Sequence, residues 1–487
     1  MSDRRIMIAA PKSGSGKTLI TCGLLAAFRK RGLQVASFKC GPDYIDPMFH
    51  SKVLKAKSRN LDTFFTDSIV TRFLLQEGSE GTDLSVMEGV MGYYDGLGGI
   101  STRASAYDLA SVTETPVVLV VNAKGMSLSV LAELKGFLTY QEESRIRGVI
   151  LNEMSPMMYS EIRDRIEKEL SVRVFGYVPK VEKLFLESRH LGLVLPEEVE
   201  DLQKKFEDFA GILENSLDID GLLALAEEAA PLTDGKKIAV PGNKEQEMLP
   251  EELWNRFSVE EKDLDLEIQK ERPLIAVARD EAFCFLYEDN LRLLGKLGAE
   301  LVFFSPIHDG KVPEMADGMI LCGGYPELFA RELSENMSMK HSVRDRIREG
   351  FPCMAECGGF LYLHRSMEDM EGKAWEMAGA IEERAFKTEK LGRFGYITLT
   401  PNREKILNGS AGEIRAHEFH YFDSTGNGAD FHAGKPLRKR SWECIHGSPS
   451  QMLGFPHLYY YSNPKYALGF LKAALDWKKE HREGGRE

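Results

Sequence analysis

Apolar, β-branched runs alternate with amphipathic stretches through the first half of the chain. Arg5–Pro11 (RIMIAAP), Gln34–Cys40 (QVASFKC), Asp83–Val90 (DLSVMEGV), Pro116–Ala123 (PVVLVVNA) and Arg147–Met154 (RGVILNEM) read as strands buried on both faces. Lys17–Arg31 and Met158–Leu170 read as helices between them. This alternation predicts a parallel sheet with crossover helices. From about Leu225 to Arg272 the chain becomes charged, carries several prolines and loses its periodicity, which reads as an interdomain connection with some helix. Alternation resumes with Pro273–Asp280, a helix over Tyr287–Gly298, then Ala299–Pro306 and Gly318–Gly324. A more antiparallel, turn-rich section follows Gly395. The predicted organisation is two α/β domains, residues 1–225 and 273–487, joined by a charged linker at 226–272.

Composition narrows the class. The chain has 487 residues, more than one ordinary core holds, and its 43% hydrophobic and 28% charged content is that of a soluble globular enzyme. No apolar run approaches the roughly 20 residues of a membrane-spanning helix. The arginines at the N-terminus precede an apolar stretch of only about seven residues that runs into a glycine-rich loop, which reads as a first strand rather than a secretory signal. A cytoplasmic location is expected. Seven scattered cysteines argue against a disulfide framework, and Cys353 and Cys357 lack a second pair at zinc-ligand spacing. The net charge of −13 makes nucleic acid or an anionic membrane a poor partner, and an anionic substrate would need local basic groups. A homodimer is the candidate assembly.

Two segments carry chemistry. Ala10–Thr18 (APKSGSGKT) lies between a buried strand and a helix, the placement of a phosphate-binding loop. Gly14, Ser15 and Gly16 would let backbone N–H groups wrap an anion, Lys17 would reach the terminal phosphates and the Thr18 hydroxyl would ligate Mg2+. The first glycine of the usual pattern is Pro11 here. Lys12 falls where partitioning-type ATPases carry an extra lysine, although surface solvation is the better explanation of Lys12 alone. Mg2+ held by phosphates and a hydroxyl also calls for a carboxylate. Glu88, at the C-terminal end of an apolar strand, is placed for that, since open α/β sheets bind ligands at strand C-termini. Asp43 and Asp46 in Phe38–His50 (FKCGPDYIDPMFH), and Asp95 in Gly92–Gly99, lie at predicted strand tips where they orient metal, nucleotide or substrate, or simply cap turns.

The second segment, Gly350–Arg365, runs from a short apolar strand through Cys357-Gly358-Gly359 into a predicted amphipathic helix. Such an elbow predicts an exposed thiol whose pKa is lowered by the helix N-terminus; a buried cysteine acting as a small hydrophobe is the alternative. A thiolate attacking an amide needs oxyanion donors, for which Gly323, Gly324 and Gly358 are candidates, and a histidine. His417, His420 and His457 qualify, and spacing does not choose among them.

Together SGSGKT, FKCGPDYIDPMFH, MEGVMGYYDG, ESRHLGLV (Glu187–Val194), IAVARDEAFCFLYEDNL, CGGYPEL, AECGGFLYL and HEFHY resemble the cobyrinic acid a,c-diamide synthase family of cobalamin-pathway amidotransferases over nearly the whole chain. The resemblance implies an N-terminal P-loop, dethiobiotin-synthetase-like parallel-sheet domain. It implies a C-terminal class I, triad-type glutamine amidotransferase domain lacking the usual third acidic member. ATP and glutamine would be co-substrates, Mg2+ the cofactor and a corrin-type polycarboxylate macrocycle the partner. Cys357 would be the nucleophile, His457 its activating base and His420 a nearby site residue. Thr18 and Glu88 match Mg2+ ligands, Asp43, Asp46 and Asp95 match acidic residues around substrate and acyl phosphate, and Asn152 resembles a nucleotide-base contact. Arg103, Arg189 and His190 are candidates for a basic rim that receives the substrate carboxylates. Ni-sirohydrochlorin or hydrogenobyrinate as the ring, and a partitioning-type regulatory ATPase, are the rival readings.

Overall fold

The computed structural model describes residues 3–181, 196–234, 237–240, 243–248, 262–404, 406–407 and 412–483. The chain divides into two compact units, Met1–Leu253 and Trp254–Glu487.

The first unit is built on seven strands, β1 (Arg5–Ala9), β2 (Val35–Cys40), β3 (Lys57–Leu61), β4 (Leu84–Glu88), β5 (Val117–Asn122), β6 (Ile146–Asn152) and β7 (Arg173–Val178). They pair in the order β3-β2-β4-β1-β5-β6-β7, every pair parallel. β1, β2 and β4 are buried along their whole length, which is why they read as continuous apolar runs. Helix α1 (Lys17–Lys30) follows β1, and α2 (Ile45–Lys52) follows β2. Register sets the site: Ile8 of β1 and Lys39 of β2 both pair with Glu88 of β4. The ends of three adjacent strands therefore meet at the phosphate loop.

The second unit holds a six-stranded sheet made of β8 (Leu274–Ala278), β9 (Glu300–Phe304), β10 (Gly318–Leu321), β11 (Cys353–Glu356), β12 (His446–Gly447) and β13 (Gln451–Gly454). Its order is β9-β8-β10-β11-β13-β12, parallel except for the edge strand β12. The antiparallel section expected after Gly395 is a five-stranded sheet that includes Phe394–Pro401, Ile414–Phe419 and His457–Leu458.

The charged stretch at 226–272, for which a connection with some helix is expected, carries regular elements at both ends. Its first part contributes to the first unit: Arg72 donates to the carbonyls of Pro231 and Leu232 at 2.9 and 3.2 Å, and Ile238, in the strand Lys237–Val240, is fully buried. Its last part is the helix Lys262–Glu271 of the second unit, where Gln269 Nε2 donates to the Lys296 carbonyl at 2.7 Å. Charged residues on the outer faces of such short elements hide their periodicity.

Candidate active sites

In the first unit the loop after β1 turns at Gly16, whose φ of 90° lies in the left-handed region that glycine tolerates best. A Cβ there would also collide with the Asn152 side chain. Asn152 Nδ2 donates to the Ser15 carbonyl at 2.9 Å, so the expected base contact here braces the loop. Ser15 Oγ donates to the Lys12 carbonyl at 3.0 Å, while the Lys12 side chain is exposed. Lys17 is largely buried, with Nζ 3.5 Å from the Met91 carbonyl. Burial and the nearby Lys39 charge lower its pKa.

Thr18 and Glu88, seventy residues apart, come together: Thr18 Oγ1 donates to Glu88 Oε1 at 2.5 Å. The same oxygen accepts from Lys39 Nζ at 2.8 Å. Lys39 also pairs closely with Asp46 and stands 3.9 Å from Asp43. Burial alone would lower the Lys39 pKa, but Glu88, Asp46 and Asp43 outweigh it and hold the ammonium well above its ordinary range. Asp46 is affected in the opposite direction: burial favours its neutral form, Lys39 favours the carboxylate, and Lys39 wins. Asp43 accepts from the backbone N–H of Ile45 at 2.8 Å at the start of α2, and burial with Asp46 alongside pushes it up to about 6. His50 is fully buried; its Nδ1 meets Ser37 Oγ at 2.7 Å and its Nε2 lies 3.6 Å from Glu88 Oε2. Asp95 caps a turn, accepting from Gly92 N–H at 3.0 Å, and Arg103 is exposed. Arg189 and His190 lie outside the described residues. Lys39 and His50 were missed as site residues. A lysine next to the end of the mostly apolar run VASFKC was the available signal.

In the second unit Cys357 directly follows β11 at positive φ, with φ 45° and ψ −102°. Its N–H donates to the Gly454 carbonyl at 2.9 Å, and the helix α3 (Gly358–Leu363) starts at the next residue. The elbow is present, but two expectations about it are corrected. The helix is a wholly buried six-residue turn and a half rather than an amphipathic one, and the thiol is only 6% exposed. Burial pushes the Cys357 thiol up, Glu327 and Glu418 push it further, and the Gly358 N–H opposes them without prevailing. Desolvation outweighs the small dipole of so short a helix.

The glycine candidates converge on this elbow. A Cβ on Gly358 would stand 3.1 Å from Gly324 N, and one on Gly323 would collide with the His457 ring. Among the three histidines, register sets His417 beside His457, with rings stacked at 4.9 Å and 18°. His417 Nδ1 meets the Tyr287 hydroxyl at 3.2 Å, and burial pulls its pKa well down. His420 turns to other partners, the Glu418 carboxylate at 3.0 Å and the Phe422 carbonyl at 2.6 Å. A carboxylate not foreseen from the sequence, Glu356, reaches His457: its Oε2 is 3.7 Å from Nδ1.

Desolvation pushes Glu327 up to about 7, so its carboxyl is largely neutral below pH 6 and ionised above pH 8. Because its folded pKa is raised, its contribution to stability is full below about 4.5 and lost as pH rises through about 7. Glu327→Gln is expected to speed iodoacetamide alkylation of Cys357 by about threefold at pH 8 and to leave the rate at pH 6 unchanged. Equal rates at both pH values would remove Glu327 from the control of the thiol.

No helix among the described residues is long and apolar enough to cross a membrane. Residues 6–194 match the CobQ/CobB/MinD/ParA nucleotide binding domain, and residues 274–439 match the CobB/CobQ-like glutamine amidotransferase domain. A cobyrinate a,c-diamide synthase of Caldanaerobacter subterraneus subsp. tengcongensis is 36% identical over 471 residues, 96% of this chain and 98% of that relative. The protein of the same name from Listeria innocua is 37% identical over 470 residues, 94% and 97% of the two chains. That from Priestia megaterium is 34% identical over 486 residues, 99% and 100%. Matching both domain models and these relatives over nearly its whole length, the chain belongs to the cobyrinate a,c-diamide synthase family and is a glutamine-dependent amidating ligase.

Proposed function

We propose that this protein amidates the a and c carboxylates of cobyrinate in cobalamin biosynthesis, with ATP activating each carboxylate and glutamine supplying the nitrogen. The observation that carries this reading is the coexistence, in one chain, of a phosphate loop whose Thr18 is bonded to Glu88 and an elbow cysteine in a unit where a carboxylate backs His457. A carboxylate resists attack by an amine until one of its oxygens becomes a good leaving group. The substrate oxygen would attack the γ-phosphorus of ATP, releasing ADP and forming an acyl phosphate. Ammonia would then add to the carbonyl carbon, lose a proton and expel phosphate. Lys17 and the loop N–H groups hold the phosphates, while Lys39 holds the Glu88 and Asp46 side chains in place.

The acidic end of the site fits a divalent cation. Thr18, Glu88 and Asp43 offer hard oxygen donors, and Glu88 Oε2 is buried with no hydrogen-bond partner. Mg2+ bound there would neutralise phosphate charge. Asp46 and Asp95 line the substrate side of this reading, and Arg103 is its described basic group. At the second site, Cys357 attacks the glutamine carboxamide, His457 accepts the thiol proton and returns it to the departing ammonia, and Gly323, Gly324 and Gly358 supply oxyanion N–H groups. We place the reaction in the cytoplasm, where ATP and glutamine are supplied.

The test is turnover of the purified chain with ATP and [amide-15N]glutamine on cobyrinate, hydrogenobyrinate and Ni-sirohydrochlorin side by side. Two 15N atoms in the cobyrinate product are expected. Labelling of another ring in preference would keep the chemistry and correct the substrate. ATP hydrolysis with no glutamate release and no labelled ring would favour a regulatory ATPase.

A further inference from the structure

We propose that Glu356, the residue immediately before the nucleophile, is the positioning carboxylate of the glutamine-hydrolysing pair and fills the place of the acid that the chain lacks beyond its histidine. The inference rests on the roles proposed above for Cys357 and His457. Two residues past His457 the chain carries Tyr459, not an acid, and that hydroxyl is occupied, donating to Asp289 at 3.1 Å. The carboxylate arrives instead from the neighbouring strand. Glu356 ends β11 in register with Gly454 of β13, three residues before His457. Its two oxygens divide the work: Oε2 lies 3.7 Å from His457 Nδ1, and Oε1 accepts from the backbone N–H of Leu458 at 3.3 Å. Glu356 is 8% exposed and His457 2% exposed, so water screens the pair little.

Neighbouring groups hold the ring in place. His417 stacks on one face and is held neutral, since burial pulls its pKa well down. Gly323 lies against the ring edge, close to Cε1. Tyr287 bonds His417, and Glu327 and Glu418 act on the thiol. Glu356 thus meets the Nδ1 side of His457, and in this reading Nε2 exchanges the proton with the thiol. When the thiol proton moves to His457, the sulfur attacks the carboxamide carbon and an imidazolium forms. Glu356 holds that imidazolium by charge until the proton leaves on ammonia; water then cleaves the thioester to glutamate and regenerates the thiol. Burial disfavours the free thiolate, so stabilising the transient imidazolium lowers the barrier. The carboxylate and the nucleophile being consecutive residues, one elbow sets the position of both.

The experiment compares the full-length chain with its Glu356→Gln and Glu356→Asp variants, measuring glutamate release from glutamine and, separately, amidation driven by ammonium chloride. Gln preserves the acceptor for Leu458 N–H and removes only the charge. Its glutaminase kcat is expected to fall about 30-fold, with glutamine KM within about threefold and ammonia-driven amidation within about twofold of the parent. Asp keeps the charge but draws it back, and is expected to recover part of the loss. A Gln variant with the parent's kcat overturns the proposal. Should Gln fail to fold, Asp decides alone: a several-fold lower kcat at unchanged KM supports the proposal, and the parent's kcat overturns it. A parent that releases no glutamate sinks the proposed function itself, and the positioning role with it.

Discussion

Replacing Cys357 by alanine is expected to lower glutamine-driven amidation by at least about 10³-fold while ammonia-driven amidation stays within about twofold. The reasoning is local. Alanine at 357 keeps the Cβ, the elbow and the N–H bond to Gly454, so the sheet is undisturbed and only the sulfur is lost. The P-loop site lies in the other unit, where Lys17, Thr18 and Glu88 are untouched. Parallel assays with glutamine and with ammonium chloride separate the two activities. Glutamine-driven turnover surviving in the variant would remove Cys357 from the nucleophile role.

Lys39→Met is expected to have the largest effect on the fold. Lys39 is 4% exposed and neutralises Glu88 and Asp46, themselves 0% and 8% exposed. Without it two buried carboxylates are left facing one another, which costs about 3–5 kcal/mol. Thermal unfolding of the first unit should shift down by on the order of 10 °C. The sign of its pH dependence follows from the loss of the counter-charge. Asp46, now held low by Lys39, would rise, so the variant should lose less stability at pH 5, where carboxyls take up protons, than at pH 8. Calorimetry at the two pH values checks this; a shift under about 2 °C at pH 8 would show that the cluster relaxes without its lysine. ATP-dependent activity should fall with it, because the same ammonium holds the Glu88 oxygen that Thr18 touches.

Much of this architecture could be read from residues alone, and the exceptions share a cause. β1, β2, β4, β5 and β6 were legible because each is mostly apolar and buried, and α1 because its loop and periodicity agree. β3, Lys57–Leu61 (KSRNL), was not, since two of its three buried residues are polar: Arg59 pairs with Glu77 at 3.6 Å, and Asn60 donates to the carbonyls of Gly41 and Asp43. Hydropathy cannot see burial that partners make affordable. The meeting of Thr18 and Glu88 was foreseeable because two independent rules, the phosphate loop and the strand C-terminus, point to one spot. Glu356 and Lys39 were passed over because their meaning lies in partners 101 and 49 positions away, His457 and Glu88. The thiol pKa was misjudged for a related reason: an elbow can be read from glycines, but the depth at which it is buried cannot.

The positive φ at residue 357 sets chemistry against conformational ease. A side chain there costs roughly 1–3 kcal/mol that glycine would avoid, so the reactive sulfur is retained at the expense of thermodynamic comfort. A lineage fed ammonia directly would be released from that tension, and drift toward glycine at this one codon would make its enzyme sturdier as it forgot how to use glutamine.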